Sequence, residues 1–350
     1  MISVPSGSCR ILIKLGIAVL LGAMACVARA PTALAADEQP NSTDAQAPVQ
    51  APAQVPEAQS AQLPEQPLEE IVVQAPEPRY VAPTRRDRIG RIWAPVYINN
   101  KGPFRMVLDT GANRSGVIAS VADALHLTPD ASSRLMLHGV TGSTPVSTIH
   151  VDSILVGDVL VKTSRLPILP DALGGAEGIL GTEGLLDRRV FIDFRHDLII
   201  IARSHNQIAP YGFEVIPFKF ERGRLLVVDA QVGDIRCKAI IDTGGQATVA
   251  NLALKRAISR RAQRNPTVDE IEGVTKDVQQ GEGYHAPPIT FGKLEIRSDH
   301  MTFADMNIFK HWQLTDEPAL LIGMDAIGLL DTLIIDYHRR ELHLRMRYDR

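Results

Sequence analysis

The sequence is poor in the features that define several large classes of protein. It has three cysteines in 350 residues, two of them within the first 26, which excludes a disulfide-stapled scaffold. Its formal net charge of −3 argues against a polybasic nucleic-acid binder, so no nucleic-acid partner is predicted. No apolar run of 18 or more residues follows residue 30, so no internal membrane span is expected. The remaining composition, 45% hydrophobic and 22% charged, is that of an ordinary folded domain.

Sequence motifs for metals and nucleotides are also missing. The ten histidines show no H-E-x-x-H spacing and no C-x-x-C pair occurs, so neither a metal site nor a cofactor is predicted. There is no G-x-x-x-x-G-K phosphate loop and no G-x-S-x-G nucleophile elbow. The sequence therefore gives no support for metal-dependent or nucleotide-dependent chemistry.

The N-terminus has the pattern of a secretory signal peptide. Arg10 and Lys14 precede an apolar stretch over 15–28, and Ala33-Leu34-Ala35 has the small-residue spacing of a cleavage site. This pattern predicts residues 1–36 as a signal peptide and export to the periplasm or outside the cell. An uncleaved anchor helix is the alternative, and the short apolar stretch disfavours it.

Residues 37–88 are predicted to form a disordered, proline-rich tether. Pro, Gln and Ala dominate its first part, and too little apolar surface is available to offset the entropy of ordering. Residues 69–75 resemble the energy-coupling box of bacterial outer-membrane receptors, which would imply an envelope partner. The alternative is a strand that pairs with an edge of the folded domain. A further alternative is that the N-terminal residues up to about 90 are a propeptide.

The rest of the chain contains the same series of motifs twice, which is best recognised by searching for internal repeats first. The matched segments, in chain order, are 106–111 with 239–244, 139–141 with 273–275, 154–157 with 289–292, 179–181 with 321–323, and 191–194 with 334–337. Five matches in the same order predict two lobes, over residues 89–208 and 209–350.

Strand signals dominate both copies. Segments 94–98 and 104–108 flank a turn with Asn and Gly, and segments 226–232 and 237–241 flank Gly233-Asp234, so each pair is predicted to be a hairpin. Short helices are predicted at 118–125 and 252–258. The expected fold is mainly β.

The repeated Asp-Thr-Gly motif is the candidate for chemistry. Asp109 and Asp242 each follow three apolar residues, which predicts a position at the end of a buried strand. Pseudo-twofold symmetry between the copies would bring the two carboxyl groups together, where both cannot ionise. They would then share one proton, so that one aspartate acts as an acid and the other as a base.

With these motifs the chain resembles the retropepsin-like aspartic proteases over roughly residues 90–347. The resemblance is to a fused two-lobe bacterial exported form. It implies two acid-protease β-barrel lobes and an aspartic endopeptidase in which Asp109 and Asp242 activate a water molecule. The chain would be a monomer, because its two halves form an internal pseudo-dimer.

The resemblance also implies roles for the neighbouring residues. Thr110 and Thr243 would lock the two loops together, and Gly111 and Gly244 would let the backbone approach the substrate. Segments 138–150 and 272–285 would be flaps that close on a peptide or protein substrate in extended conformation. The flap-tip residues are Gly139, Val140, Thr141, Gly273, Val274 and Thr275.

The motifs depart from the family pattern after each Asp-Thr-Gly. Ala112 and Gly245 stand where Ser or Thr is frequent, and loss of a donor to the charged carboxylate should make the pair less acidic. This predicts a pH optimum closer to neutral than that of pepsin.

A catalytically silent binding or scaffold module of the cell envelope is the alternative function, although two intact aspartates favour an enzyme. Two further expectations concern single residues. Cys237 is predicted to be a small core residue, and Arg91 to lie in a solvated basic cluster.

Overall fold

The structure, a computed structural model, describes residues 11–14, 80–83, 85–86, 90–156, 159–161, 165–222, 224–258, 266–297 and 300–347. All of these residues belong to one structural unit. Most of the predicted signal peptide and tether, including residues 69–75, lies outside the described residues. None of the helices in the described part is long and apolar enough to cross a membrane.

Strands make up most of the described chain. Those before residue 210 are β1 (Ile11–Lys14), β2 (Tyr80–Pro83), β3 (Arg85–Arg86), β4 (Ile92–Ile98), β5 (Lys101–Leu108), β6 (Gly116–Ile118), β7 (Asp130–His138), β8 (Ser143–His150), β9 (Ile154–Val156), β10 (Val159–Val161), β11 (Arg165–Leu169), β12 (Gly178–Leu180), β13 (Arg188–Asp193) and β14 (Leu198–Arg203). Those after it are β15 (Glu214–Glu221), β16 (Leu225–Val232), β17 (Ile235–Ile241), β18 (Val249–Ala250), β19 (Thr267–Glu272), β20 (Val278–Tyr284), β21 (Ile289–Phe291), β22 (Leu294–Ile296), β23 (Met301–Phe303), β24 (Ala319–Ile322), β25 (Leu330–Asp336) and β26 (Glu341–Met346).

The helices are short. They are α1 (Ala119–Leu125), α2 (Leu252–Ala257), α3 (Asn307–His311), α4 (Met324–Ile327) and a 3₁₀ turn over Thr182–Gly184. Asn251 caps α2 by accepting a hydrogen bond from the Leu254 N–H group at 2.9 Å. The predicted helices at 118–125 and 252–258 are thus confirmed to within one residue at each end.

The strands form two sheets, which confirms the predicted mainly β, two-lobe fold. Among the described residues, the first sheet has the order β10-β9-β4-β5-β12-β6-β11-β8-β7, with β3 added to β4. The second has the order β1-β19-β20-β23-β18-β24-β17-β16-β15-β26-β25-β13-β14-β2, with β21 and β22 beside β16. Both predicted hairpins are present, as β4–β5 and β16–β17.

One pairing pattern occurs in both sheets and determines where each Asp-Thr-Gly lies. β5 runs parallel to β12 with Leu108 opposite Leu180, and β17 runs parallel to β24 with Ile241 opposite Ile322. β12 pairs in turn with β6, and β24 with β18, both antiparallel. The last three residues of β5 and of β17 are apolar and buried, as are β12 and β24 over their whole length. Each hairpin therefore delivers its aspartate at the buried end of a central strand.

The sheet boundary does not follow the predicted lobe boundary at residues 208 and 209. β13 and β14 precede that boundary, yet β13 pairs with β25 in the second sheet, with Phe191 opposite Ile334. The inward side chains of both strands are buried, so each strand supplies the apolar surface that the other needs. The two halves consequently share one sheet.

The predicted disordered tether is too long at its C-terminal end. Tyr80–Pro83 pairs with β14, and Arg85–Arg86 pairs with β4, although both segments were expected to be disordered. Sheet edges offer unpaired backbone groups, and the Tyr-Val pair in the first segment favours a strand. Ile11–Lys14, within the predicted signal peptide, pairs in parallel with β19.

Candidate active site

The two Asp-Thr-Gly loops begin where buried strands end. The Asp109 N–H group donates to the Leu180 carbonyl at 3.0 Å, and the Asp242 N–H group donates to the Ile322 carbonyl at the same distance. The relative exposure of Asp109 is 1% and that of Asp242 is 0%. The apolar strands thus hold two carboxyl groups in the interior, which costs free energy unless those groups are hydrogen-bonded or protonated.

The threonines of the two loops bind each other reciprocally. Thr110 Oγ1 donates to the Ile241 carbonyl at 2.6 Å, and Thr243 Oγ1 donates to the Leu108 carbonyl at 2.7 Å. Each hydroxyl also accepts a hydrogen bond from the backbone N–H group of the other threonine at 3.1 Å. Four buried hydrogen bonds therefore tie the two loops together, in the arrangement that the resemblance implies.

The glycines allow each loop to contact the opposite aspartate. A Cβ atom on Gly111 would lie 3.0 Å from the Asp242 carboxyl carbon, and one on Gly244 would overlap the Asp109 carboxyl group. Each glycine thus packs against the carboxyl group of the other half. The structure brings together six of the predicted site residues, Asp109, Thr110, Gly111, Asp242, Thr243 and Gly244.

The two carboxyl groups affect each other's ionisation. Burial raises the pKa of Asp109 well above its ordinary value, and the negative charge of Asp242 raises it further. Burial also raises the pKa of Asp242, but the Gly244 and Gly245 N–H groups and the positive charge of Arg91 oppose this effect. The pair therefore holds a proton at a higher pH than an isolated aspartate would.

Each carboxyl group has one satisfied and one unsatisfied oxygen. Asp109 Oδ1 accepts from the Gly111 N–H group at 2.8 Å, and Asp242 Oδ1 accepts from the Gly244 and Gly245 N–H groups at 3.0 Å. The Oδ2 atoms are buried and accept no hydrogen bond from the described residues. Two such oxygens can bind a proton or a small polar molecule.

Arg91 differs from the solvated residue that was expected. It is 4% exposed, and its guanidinium group donates to the Leu173 carbonyl at 2.6 Å. A buried guanidinium group that is held in this way acts at longer range than an exposed one, because less solvent screens it. Its charge is one cause that lowers the pKa of Asp242.

Sequence reasoning missed a pair of carboxylates that support the loops. The Ser115 N–H group donates to Glu183 Oε1 at 2.7 Å, and the Thr248 N–H group donates to Asp325 Oδ2 at 2.9 Å. The signal for these contacts was present: Ser115 and Thr248 both lie six residues after the loop aspartate, and both carboxylates lie two residues after the Gly of the apolar-apolar-Gly segment.

The predicted flaps are the hairpins β7–β8 and β19–β20, whose tips meet. A Cβ atom on Gly139 would lie 2.9 Å from Val274 Cγ1, and one on Gly273 would overlap Thr141 Oγ1. Thr275 takes part in the same contact, because its Cγ2 atom would lie 3.3 Å from a Cβ atom on Gly139. The tip valines are buried, at 0% exposure for Val140 and 1% for Val274. The flap tips are therefore packed against the protein.

Two further expectations concern single residues and metal ions. Cys237 is a buried core residue, as predicted, and burial raises the pKa of its thiol to about 12. In the part of the chain that the structure describes, no group of three or more His, Cys, Asp or Glu side chains is arranged to hold a metal ion.

Comparisons with known proteins complete the description of the site. The family model described as "Aspartyl protease" matches residues 94–183, which include Asp109. The fold is similar to that of basic 7S globulin from soybean, with 11% identity and a TM-score of 0.40 over 78% of this chain and 97% of that one. It is also similar to a retropepsin-like aspartic protease from Rickettsia conorii, with 21% identity and a TM-score of 0.27 over 38% of this chain and all of that one. No curated protein matches the sequence.

Proposed function

We propose that the chain is an exported aspartic endopeptidase of the retropepsin-like family, which its motifs indicate and the aspartyl protease match over residues 94–183 supports. The observation that carries the proposal is that the Asp109 and Asp242 carboxyl groups lie beside the same point of the loops, 3.2 Å and 3.0 Å from a Cβ atom placed on Gly111. Two buried carboxyl groups whose pKa values are both raised, each with one unsatisfied oxygen, are suited to share a proton.

The proposed reaction is peptide-bond hydrolysis by an activated water molecule. The Asp242 carboxylate removes a proton from the water as its oxygen attacks the peptide carbonyl carbon, and protonated Asp109 donates to the carbonyl oxygen. The tetrahedral intermediate then collapses: a proton passes to the departing amine, the C–N bond breaks, and the proton on the second hydroxyl returns to the pair. The asymmetric hydrogen bonds to the two aspartates support this assignment of base and acid.

The proposed substrate is a peptide or protein segment in extended conformation. The flaps are β-hairpins, and a strand-like peptide can pair with their backbone groups while its side chains enter pockets on both sides. One chain supplies both aspartates, so the enzyme would work as a monomer. Export to the periplasm or outside the cell, and an envelope partner for residues 69–75, are proposed from the N-terminal sequence alone.

Cleavage of a mixed peptide library tests the proposal. The wild-type protein should cut peptides, and Asp109→Asn and Asp242→Asn should each lower kcat/KM by at least about 10³-fold, because each removes an acid–base group. Asp152→Asn, at an exposed position, is the matched control and should retain activity. Equal turnover by all variants would exclude the aspartate pair. No turnover by any would favour the alternative, a silent binding or scaffold module.

A further inference from the structure

The proposed catalytic pair is sealed from solvent. Asp109 and Asp242 are 1% and 0% exposed, and their unsatisfied Oδ2 atoms are buried as well. A peptide can reach these atoms only if part of the protein moves. The flaps are the elements whose tips could move without breaking the central strands.

The first flap is fastened to α3, an element of the other half. Val140 is packed in an apolar cluster with Ile308, Phe309 and Trp312, all fully buried. The Ile308 N–H group donates to the Val140 carbonyl at 3.2 Å, and Asn307 Nδ2 donates to the Gly139 carbonyl at 3.1 Å. Opening of the first flap therefore requires separation from α3.

A pair of histidines lies at this junction, one on each side. The rings of His138, at the end of β7, and His311, at the end of α3, are stacked with centroids 3.9 Å apart and an angle of 19° between the planes. His138 Nδ1 is hydrogen-bonded to Ser143 Oγ at 2.8 Å, which also accepts from Asn307 Nδ2 at 3.0 Å. Repulsion between the two rings would act directly on the contact between flap and helix.

Both rings are easier to protonate when the flap is open. Burial lowers the pKa of His138, and the charge of His311 lowers it further, while burial lowers the pKa of His311. A histidine whose pKa is lower in the closed state binds protons more tightly in the open state, where its pKa is closer to the ordinary 6.5. A fall in pH below about 6.5 therefore favours opening.

Other charged groups lie on the elements around the pair. Lys310 precedes His311 on α3, and Arg134 lies on β7. The turn of the second flap carries Lys276 and Asp277, and Asp277 contacts Gly142 at the tip of the first flap. None of these groups contributes to the lowered pKa values, which come from burial and from the partner ring.

We infer that His138 and His311 form an acid-released latch that holds the first flap closed at neutral pH and frees it when both rings are protonated. The latch itself does not depend on the proposed function. Only its consequence, that acid admits the substrate to Asp109 and Asp242, rests on that function. At neutral pH the stacked rings, the buried Val140 and the Asn307 hydrogen bonds hold the first flap against α3.

Hydrogen–deuterium exchange of residues 138–150 between pH 7.5 and 5 tests the latch, with rates corrected for the intrinsic effect of pH. In the wild type, protection of the flap should fall as the pH is lowered. The fall should be about tenfold for each pH unit by which the pKa of a histidine of the closed latch lies below its ordinary value. The double variant His138→Phe/His311→Phe keeps the stacked rings and cannot take up a proton, so its protection should not change with pH. His150→Phe, at an exposed position at the other end of β8, should behave as the wild type.

A second double variant keeps the test interpretable if the first variant misfolds. His138→Lys/His311→Lys places two permanent charges at the junction, so its flap should already be unprotected at pH 7.5. The latch is excluded if the wild-type flap does not respond to pH, if the Phe variant responds equally, or if the Lys variant is protected at pH 7.5.

Peptide cleavage by the same proteins separates the latch from the proposed function. A flap that opens in acid in a protein that cuts no peptide supports the latch and contradicts the protease. If the wild type and the Phe variant both cleave peptides and their kcat/KM falls over the same range of rising pH, the result supports the protease and contradicts the latch.

Discussion

Asp109 and Asp242 were predictable because their motif is local: each aspartate follows three apolar residues and precedes Thr-Gly, and the motif occurs twice. The structure places both carboxyl groups within about 3.2 Å of a Cβ atom placed on Gly111, and their catalytic roles stay predictions. The supporting pairs Ser115–Glu183 and Thr248–Asp325 were not predicted. Their members are 68 and 77 residues apart, and the residue types change between the halves, so only an alignment of the two halves reveals their equivalent positions.

The raised pKa of Asp109 predicts a pH-dependent effect on stability. When a carboxyl group has a higher pKa in the folded protein than in the unfolded one, the protein loses stability as the pH rises from about 4 towards the folded pKa. Asp109→Asn removes this cost. It should therefore raise the free energy of unfolding at pH 7 by roughly 1–3 kcal/mol and change it little at pH 3.

Denaturant unfolding at the two pH values measures this difference. The exposed control Asp152→Asn should change the free energy of unfolding at neither pH. An equal gain from Asp109→Asn at both pH values would show that the aspartate is not held with a raised pKa.

The pH dependence of kcat/KM follows from the same two carboxyl groups. Activity requires one carboxylate and one carboxylic acid, so protonation of both ends it on the acid side. Because the pKa values of both aspartates are raised, activity should be lost at a higher pH on the acid side than in pepsin. Because the flap opens below about pH 6.5, kcat/KM should be highest on the acid side of neutral. A pH–rate profile that peaks below about pH 3 would contradict this expectation.

At the scale of elements, the hairpins and the helices after each Asp-Thr-Gly were predictable because their signals are local. The turn at Asn99 and Asn100 has positive φ values of 50° and 60°, and Gly233 has a φ of 57°, as tight hairpins need. The role of α3 was not predictable. Its buried face is covered by Val140, which lies more than 160 residues earlier in the chain.

Burial of the Val140 side chain is expected to hold the first flap closed. Val140→Ala removes buried methyl groups from the cluster with Trp312 and should increase the opening of the flap on the order of tenfold. Hydrogen exchange of residues 138–150 at pH 7.5 measures the change. The matched control is Val278→Ala on the second flap, where the valine is 54% exposed, and it should alter exchange very little. Equal effects of the two variants would mean that burial of Val140 does not hold the flap.

At the scale of the molecule, the repeat led to an expectation of two consecutive lobes, and the two-sheet architecture followed from it. The pairing of β13 with β25 was not foreseen. A strand's sequence shows which face is buried but not which partner lies beside it, and here the partner is about 140 residues away. The same limit explains why Tyr80–Pro83, beside β14, was assigned to the tether.

The shared sheet predicts a strong effect at Asp336. Its buried carboxylate accepts from Arg189 at 2.9 Å and from Ser204 Oγ at 2.8 Å, both of which come from the first half of the chain. Asp336→Ala leaves the Arg189 charge without this partner and should lower the free energy of unfolding by about 3–5 kcal/mol. Asp187→Ala, which removes an exposed partner of Arg188, should cost less than about 1 kcal/mol. Denaturant unfolding compares them, and similar losses would show that the buried pair does not join the halves.

The unequal hydrogen bonding of the two aspartates has a consequence for the direction of binding. Asp242 Oδ1 accepts from two backbone groups and Asp109 Oδ1 from one, and the residues after each loop glycine differ. An enzyme built from two identical chains presents the same surroundings to either end of its substrate, whereas a cleft between two unlike halves does not. A peptide and the same sequence written backwards would meet different neighbours here, so this single chain has a built-in polarity that a symmetric dimer lacks.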